Sequence, residues 1–259
     1  MPVIFISSRD NPHIKAAVRL RDAAAVRMRT PVTGRGFFLE GFRLCADALA
    51  SGYAPEQVFL TAQARGKYST ISLEQASVQV FEITEHVSEK LGDTKTPQGV
   101  FGIFEKQEKQ VCLQPGGKYI ALENVQDPGN LGGIARTAEA LGITGLLVSG
   151  GCDVFHPKAL RASMGALLRL PVARTQDLPA DLRACGLPCY AAVPDREAGS
   201  VLGCDFTRGA VIIIGSEAHG LSSEALAVCA HKITVPMPGR AESLNAAAAA
   251  TILMWEMVR

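Results

Sequence analysis

Three short stretches of the chain set polar side chains beside glycine and proline in a way that suits a ligand cradle. The first, Gln126-Asp127-Pro128-Gly129-Asn130-Leu131-Gly132-Gly133, runs into a segment carrying Arg136 and Glu139. Its glycines permit close backbone approach to a ligand. The spacing fits neither G-x-G-x-x-G nor G-x-x-x-x-G-K-[ST], which sets aside the dinucleotide fingerprint and the Walker A loop. The second stretch, Ile214-Gly215-Ser216-Glu217-Ala218-His219-Gly220-Leu221-Ser222, follows the apolar run Val211 to Ile214. A carboxylate emerging from a buried strand is costly unless it is hydrogen-bonded or binds something, so Glu217 is a candidate functional group. The third runs from Val235 through Pro236-Met237-Pro238-Gly239-Arg240-Ala241-Glu242 to Ser243-Leu244-Asn245. Ser243 or Asn245 could do no more than cap the helix that follows, yet capping accounts for one polar residue there better than for several.

The elements around these stretches alternate. Apolar runs at Tyr119 to Val125, Gly145 to Ser149, Pro188 to Val193, Ala210 to Ser216 and Lys232 to Val235 read as buried strands. Helical patterns lie between them at Leu131 to Leu141, Pro157 to Leu168, Leu178 to Cys185 and Ser222 to Ala230, and an Ala-rich helix spans Leu244 to Val258. This order predicts an α/β unit with a parallel sheet covered on both faces, with ligands bound where strands end. The first hundred residues predict a smaller α/β unit, with helices at Pro12 to Arg27, Arg43 to Ser51 and Glu85 to Leu91 and strands at Gly36 to Glu40, Gln57 to Leu60, Val78 to Ile83 and Gly99 to Phe104. The polar stretch from Glu105 to Lys118, with Pro-Gly-Gly at 115 to 117, reads as a linker. The expected organisation is therefore 1–105, a linker at 106–118, and 119–259.

With 259 residues, 47% of them hydrophobic and 20% charged, the chain has the composition of a globular protein. No apolar run approaches the ~18 residues of a membrane helix. The N-terminus lacks a basic segment leading into an apolar stretch, so a cytoplasmic location is expected. The seven cysteines form no C-x-x-C pair and the five histidines show no ligand spacing, so no metal is expected, the close pair Cys185 and Cys189 included. Net charge is +1, but the opening segment sets Arg9, Lys15, Arg19, Arg21, Arg27, Arg29, Arg35 and Arg43 against only Asp10, Asp22 and Glu40. Such a patch suits a polyanion, although a solvated helix face has the same composition.

At all three polar stretches the sequence resembles the SpoU (TrmH) family of S-adenosylmethionine-dependent RNA 2'-O-ribose methyltransferases, within the SPOUT superfamily. The resemblance rests on Asn124-Val125-Gln126-Asp127-Pro128-Gly129-Asn130-Leu131-Gly132 with Arg136-Thr137-Ala138, on Gly215-Ser216-Glu217 with Gly220-Leu221-Ser222, and on Pro236-Met237 with Ser243-Leu244-Asn245. Lys158-Ala159-Leu160-Arg161-Ala162-Ser163-Met164-Gly165-Ala166 is similar to the family's connecting segment. The first half, from Ser8-Arg9-Asp10-Asn11-Pro12 to Phe38-Leu39-Glu40-Gly41, is similar to an L30e-like substrate-binding domain.

The resemblance implies a small L30e-like α/β domain followed by an α/β SPOUT domain with a parallel sheet and a C-terminal trefoil knot. It also implies a homodimer formed through the C-terminal domain. Asn130, Arg136, Glu217, Ser243 and Asn245 match positions of catalysis and substrate placement, and Gly215, Val235, Met237 and Leu244 match the cofactor pocket. Transfer of a methyl group from a sulfonium to a ribose hydroxyl needs in-line alignment and loss of the hydroxyl proton. A guanidinium holds its proton too tightly to serve as a free base in water, so Arg136 is expected to clamp phosphate and stabilise the developing alkoxide. Asn130 and Asn245 would orient these groups, and Glu217 would hold Arg136 or the nucleotide. Structured RNA is the implied partner, ribosomal RNA before transfer RNA, since L30e-like modules read folded RNA by shape and backbone. The alternatives are a transfer-RNA 2'-O-methyltransferase and a non-catalytic RNA-binding or ribosome-assembly protein of the same fold.

Overall fold

The computed structural model describes residues 3–26, 36–68, 73, 78–107 and 111–259. The chain divides into two compact units, Met1–Gln107 with Phe155–Arg169, and Glu108–Val154 with Leu170–Arg259.

The first unit is built on a five-stranded sheet of β1 (Ile4–Ile6), β2 (Gly36–Glu40), β3 (Pro55–Thr61), β4 (Gln79–Ile83) and β5 (Val100–Glu105), in the order β1-β4-β3-β5-β2. Strand β5 runs antiparallel to both its neighbours, and the other pairs are parallel. The period-two alternation of β2 to β5 sends Phe38, Phe59, Phe81 and Phe101 to one face, where helices α1 (Pro12–Val26) and α4 (Glu85–Leu91) cover them with Ile14, Ala17, Val87 and Leu91. Helices α2 (Phe42–Ala50) and α3 (Ala62–Lys67) complete the layer set, α3 being capped by Thr61, whose side chain accepts from the Ala64 N–H. Strand β1 and helix α3 are absent from the sequence reading, being three and six residues long.

Much of the expected basic patch is taken up inside this unit. Arg9 Nη2 pairs with Glu89 at 2.7 Å, Lys15 Nζ with Asp10 at 2.8 Å, and Arg21 Nη1 donates to the carbonyls of Lys90, Leu91 and Gly92 at the end of α4. Arg21 thus satisfies free helix-terminal carbonyls. Arg27, Arg29 and Arg35 lie outside the described residues.

The segment that reads as one helix from Pro157 to Leu168 is two, α6 (Pro157–Ala162) and α7 (Ala166–Arg169). The break is at Met164 and Gly165, whose φ of +51° and +83° are left-handed. A β-carbon at Gly165 would stand 2.6 Å from Asp47 Oδ2, so glycine is needed there for conformation and for space. Arg161 Nη2 binds Asp93 at 2.5 Å and Arg169 Nη1 binds Asp47 at 2.9 Å, which ties this segment into the first unit.

The second unit holds a seven-stranded, wholly parallel sheet. Its strands are β6 (Lys118–Glu123), β7 (Gly145–Ser149), β8 (Val172–Thr175), β9 (Cys189–Ala192), β10 (Gly199–Ser200), β11 (Ala210–Ile214) and β12 (His231–Thr234), ordered β10-β12-β9-β11-β6-β7-β8. Tyr119, Ala121, Leu147, Val211 and Ile213 face α8 (Leu178–Ala184) and α9 (Ser223–Val228) through Leu178, Leu182 and Val228. Helices α5 (Pro128–Ala140) and α10 (Ala246–Val258) pack on each other, and α10 also meets β11. A continuous apolar strand such as Ala210–Ile214, buried at every residue, is what a parallel sheet covered on both sides requires.

Candidate active site

From β6 the chain proceeds outward to β7 and β8, whereas every later strand adds on the other side. The order therefore reverses between β6 and β11, and the loops leaving their carboxyl ends diverge to open a crevice, the usual ligand position in an open parallel sheet. The first and second polar stretches leave these two strands.

Asp127 caps α5 by accepting from the Gly129 N–H at 3.0 Å, and Pro128 occupies its first turn. This start places Asn130 in the crevice, where it is 8% exposed. Its Nδ2 donates to Glu217 Oε1 at 2.5 Å, and its Oδ1 accepts from Asn245 Nδ2 at 3.0 Å. Asn245 in turn caps α10, its Oδ1 accepting from the Ala247 and Ala248 N–H groups at 2.9 and 3.3 Å. One residue from each polar stretch thus meets in a continuous chain running from the α10 N-terminus to Glu217. Capping and site-building are the work of the same residue, Asn245; Ser243 is exposed and makes no hydrogen bond among the described residues.

Arg136 lies six residues beyond Asn130 on α5, about 120° around the helix and roughly 9 Å along it. Glu217, expected to hold Arg136 or the nucleotide, is itself held by Asn130, and Arg136 is exposed with no ion pair among the described residues. Arg136 stands at the rim of a groove between α5 and α10, lined by Ala140, Leu141, Ile252 and Trp255.

Two glycines sit where the backbone packs too closely for a side chain. A β-carbon at Gly215 would come within 2.2 Å of the Gly220 carbonyl carbon, across the Ser216–Gly220 bridge that shapes the turn carrying Glu217. Gly151, at φ +67°, lies against Val125, where a β-carbon would meet the carbonyl oxygen at 2.4 Å.

The sequence reading overlooks Glu123, the last residue of β6. It is 7% exposed, and its two oxygens accept from the N–H and the hydroxyl of Ser222 at 2.8 and 2.6 Å. Ser222 caps α9, so Glu123 fixes the far end of the Glu217 turn to the end of β6. A charged residue ending an otherwise apolar run was the available signal.

Val235, Met237 and Leu244 lie on the long connection from β12 to α10, Val235 and Met237 half-buried and Leu244 at the surface. Among the described residues no backbone-to-backbone hydrogen bond engages Pro236 to Leu244, and Arg196 Nη2 steadies the connection by donating to the Gly239 carbonyl at 3.3 Å. Free main-chain donors and acceptors flanked by apolar side chains suit the edge and faces of a purine. Cys185 and Cys189 place their sulfurs 3.8 Å apart behind the sheet, and burial pushes the Cys189 thiol far above its ordinary range. Among the described residues no group of three or more histidine, cysteine or acidic side chains could hold a metal.

The model of the SpoU rRNA Methylase family matches residues 117–255, and that of the MRM3-like substrate binding domain matches residues 11–102. An uncharacterized tRNA/rRNA methyltransferase of Synechocystis sp. is 32% identical over 99% of this chain and 94% of its own. The 23S rRNA (guanosine(2553)-2'-O)-methyltransferase RlmP of Bacillus subtilis is 29% identical over 85% of this chain and 88% of its own. The crystal structure of an AdoMet-bound rRNA methyltransferase from Sinorhizobium meliloti superposes with a TM-score of 0.83 at 31% identity, covering 98% of this chain and 97% of that one.

Proposed function

Because the chain belongs to the SpoU rRNA methylase family, we propose that it transfers a methyl group from S-adenosylmethionine to a ribose 2'-hydroxyl of ribosomal RNA. The observation that carries this reading is the Asn130, Glu217 and Asn245 chain at the switch point, with the unengaged Arg136 on the same helix.

S-adenosylmethionine, when bound, supplies the methyl group. Gly215, Val235, Met237 and Leu244 would hold it, with main-chain groups of the β12 to α10 connection reading the adenine and apolar side chains flanking it. Asn130 has both polar atoms engaged and so cannot rotate. It holds Glu217 with one carboxylate oxygen committed and the other, Oε2, without a partner among the described residues, ready to accept from the bound nucleotide. Arg136 offers a fork of donors to a backbone phosphate and stabilises negative charge on the 2'-oxygen, whose proton passes by way of a phosphate oxygen to solvent while S-adenosylhomocysteine is left behind. Ser243, exposed ahead of the α10 cap, contacts substrate.

Ribosomal RNA is favoured over transfer RNA because the first unit matches a substrate-binding domain named for a ribosomal RNA methyltransferase and RlmP acts on 23S rRNA. The likeness to bacterial enzymes such as RlmP favours a cytoplasmic location. A trefoil knot in the C-terminal segment is part of this proposal on the strength of membership in the SpoU family alone. A second copy completes the site by covering the groove between α5 and α10.

Replacing Arg136 with Ala is expected to lower methyl transfer about 100-fold or more, the scale of losing a transition-state donor, with S-adenosylmethionine affinity by calorimetry unchanged. Normal turnover would remove Arg136 from the mechanism, and lack of cofactor binding by the unaltered protein would favour the non-catalytic alternative. Mapping methylated riboses in RNA from cells with and without the protein identifies the target nucleotide.

A further inference from the structure

In the first unit, strands β1 to β4 excluding β5 run in one direction, so the turns after β2 and β3 and the turn entering β5 gather at one edge. Phe42, at the start of α2, and Tyr68, just after α3, stack there with ring centroids 5.0 Å apart and planes 14° from parallel. Both rings are partly exposed. Lys67 Nζ lies 5.3 Å from the Tyr68 ring centroid, over its face. The platform is built into the backbone. Gly41, at φ +99°, donates its N–H to the Val100 carbonyl at 2.8 Å, and the Phe42 N–H donates to Gln98 Oε1 at 3.2 Å.

Two cations adjoin the rings in sequence. Arg43 and Lys67 are exposed, and neither has a carboxylate partner among the described residues, in contrast to Arg9, Lys15, Arg21 and Arg65, which do. Parallel aromatic rings beside unpaired cations are what an unpaired nucleobase with its flanking phosphates requires: a π-face for the base and point charges for the backbone.

We propose that Phe42 and Tyr68 form a stacking platform for an unpaired base of the RNA substrate, with Lys67 and Arg43 on its neighbouring phosphates. The base takes the face of Tyr68 that Lys67 now covers, and the ammonium, on a flexible stem, swings to the phosphate. This inference rests on the reading of the protein as an RNA methyltransferase, and it locates the contact in α2 and α3 rather than along the α1 arginines.

The test uses the full-length protein and a 12-nucleotide single-stranded RNA with one central 2-aminopurine, whose fluorescence falls on stacking, compared with the same RNA fully paired. The unaltered protein is expected to quench the single strand and not the duplex. Tyr68→Ala should abolish the quench and weaken single-strand binding about fivefold or more, the scale of one lost aromatic stack, with Tyr68→Phe retaining both. Lys67→Ala, at an exposed position that cannot upset the core, should keep the quench and lower the salt slope of binding by about one. Far-ultraviolet circular dichroism and a thermal melt matching those of the unaltered protein serve as the check that each variant is folded, since S-adenosylmethionine affinity reports only on the second unit. Equal binding and quenching by Tyr68→Ala and the unaltered protein would overturn the platform and leave the methyltransferase reading standing. Variants that bind naked RNA normally but fail only on intact ribosomal subunits would overturn it too, by assigning the rings to a protein. Failure of the unaltered protein to bind any RNA would overturn both readings.

Discussion

Asn130 uses both polar atoms of its amide inside the protein, one on a carboxylate and one on an amide. An amide donates to Glu217 and accepts from Asn245 at the same time, which an ionised carboxylate in its place cannot do. Asn130→Asp puts two carboxylates within hydrogen-bond distance, so one must bind a proton for the contact to survive. Methyl transfer by this variant is expected to fall about tenfold or more near neutral pH through loss of alignment, and to recover toward the unaltered enzyme as pH drops and the pair takes up its proton. Asn130→Ala, with no group to protonate, should be impaired without such recovery, and kcat/KM measured from pH 5.5 to 8 for both variants separates the two cases. Glu217 was legible as a candidate from its place beside glycines just past a buried strand, whereas Asn130 and Asn245 were marked out by the resemblance to the family. Their partners were not legible. Whether Glu217 meets Asn130 or Arg136 depends on the angle between two positions of one helix relative to a turn that follows a strand 80 residues later in the chain.

Elements place these side chains, and the most informative placement is one that periodicity hid. Glu123 closes an apolar strand and, with its charge buried, joins the end of β6 to the cap of α9 through two hydrogen bonds. Glu123→Ala leaves the Ser222 N–H without its acceptor, and the expected cost is about 1–3 kcal/mol of stability in denaturant unfolding, with weaker S-adenosylmethionine binding because the Glu217 turn loses its anchor. Unchanged stability and affinity would show that turn to be held by Gly215 and Gly220 alone. Long elements with a strong period, such as α5, β7, β11 and α10, were readable within one or two residues, apart from the proline-led first turn of α5. Short ones were not. Three residues of β1 and four of β8 give no period, and their pairing comes from neighbours far along the chain. The run from Pro157 to Leu168 kept a helical pattern through a break made by left-handed backbone at Met164 and Gly165, where the decisive neighbour is Asp47.

At the scale of the whole molecule, two properties follow from what is buried and what is not. Burial raises the thiols of Cys45 and Cys189 far above their ordinary range and, helped by the Glu123 carboxylate, Cys229 to about 11. A thiol whose folded value exceeds its unfolded one adds stability that is complete below the unfolded value and is lost as pH rises through the folded one. Melting temperature is therefore expected to decline from about pH 9 to 11, and less steeply in Cys229→Ala. The second property is the outer side of α10. This helix is apolar nearly all round, the mark of a helix buried on every side, yet Trp255 is 56% and Ile252 36% exposed beside the groove that Arg136 borders. Exposed aromatic and aliphatic groups joined to a groove are the usual sign of a protein partner, and here a second copy of the chain would bring its own α10 to the same surface. Trp255→Glu would place a charge in the middle of the proposed interface. It is expected to shift sedimentation from dimer to monomer and, since Arg136 lines the same groove, to reduce methyl transfer in proportion to the dimer lost, with activity regained as protein concentration rises. A monomeric unaltered protein with full activity would separate the groove from catalysis and leave each chain with a complete site of its own.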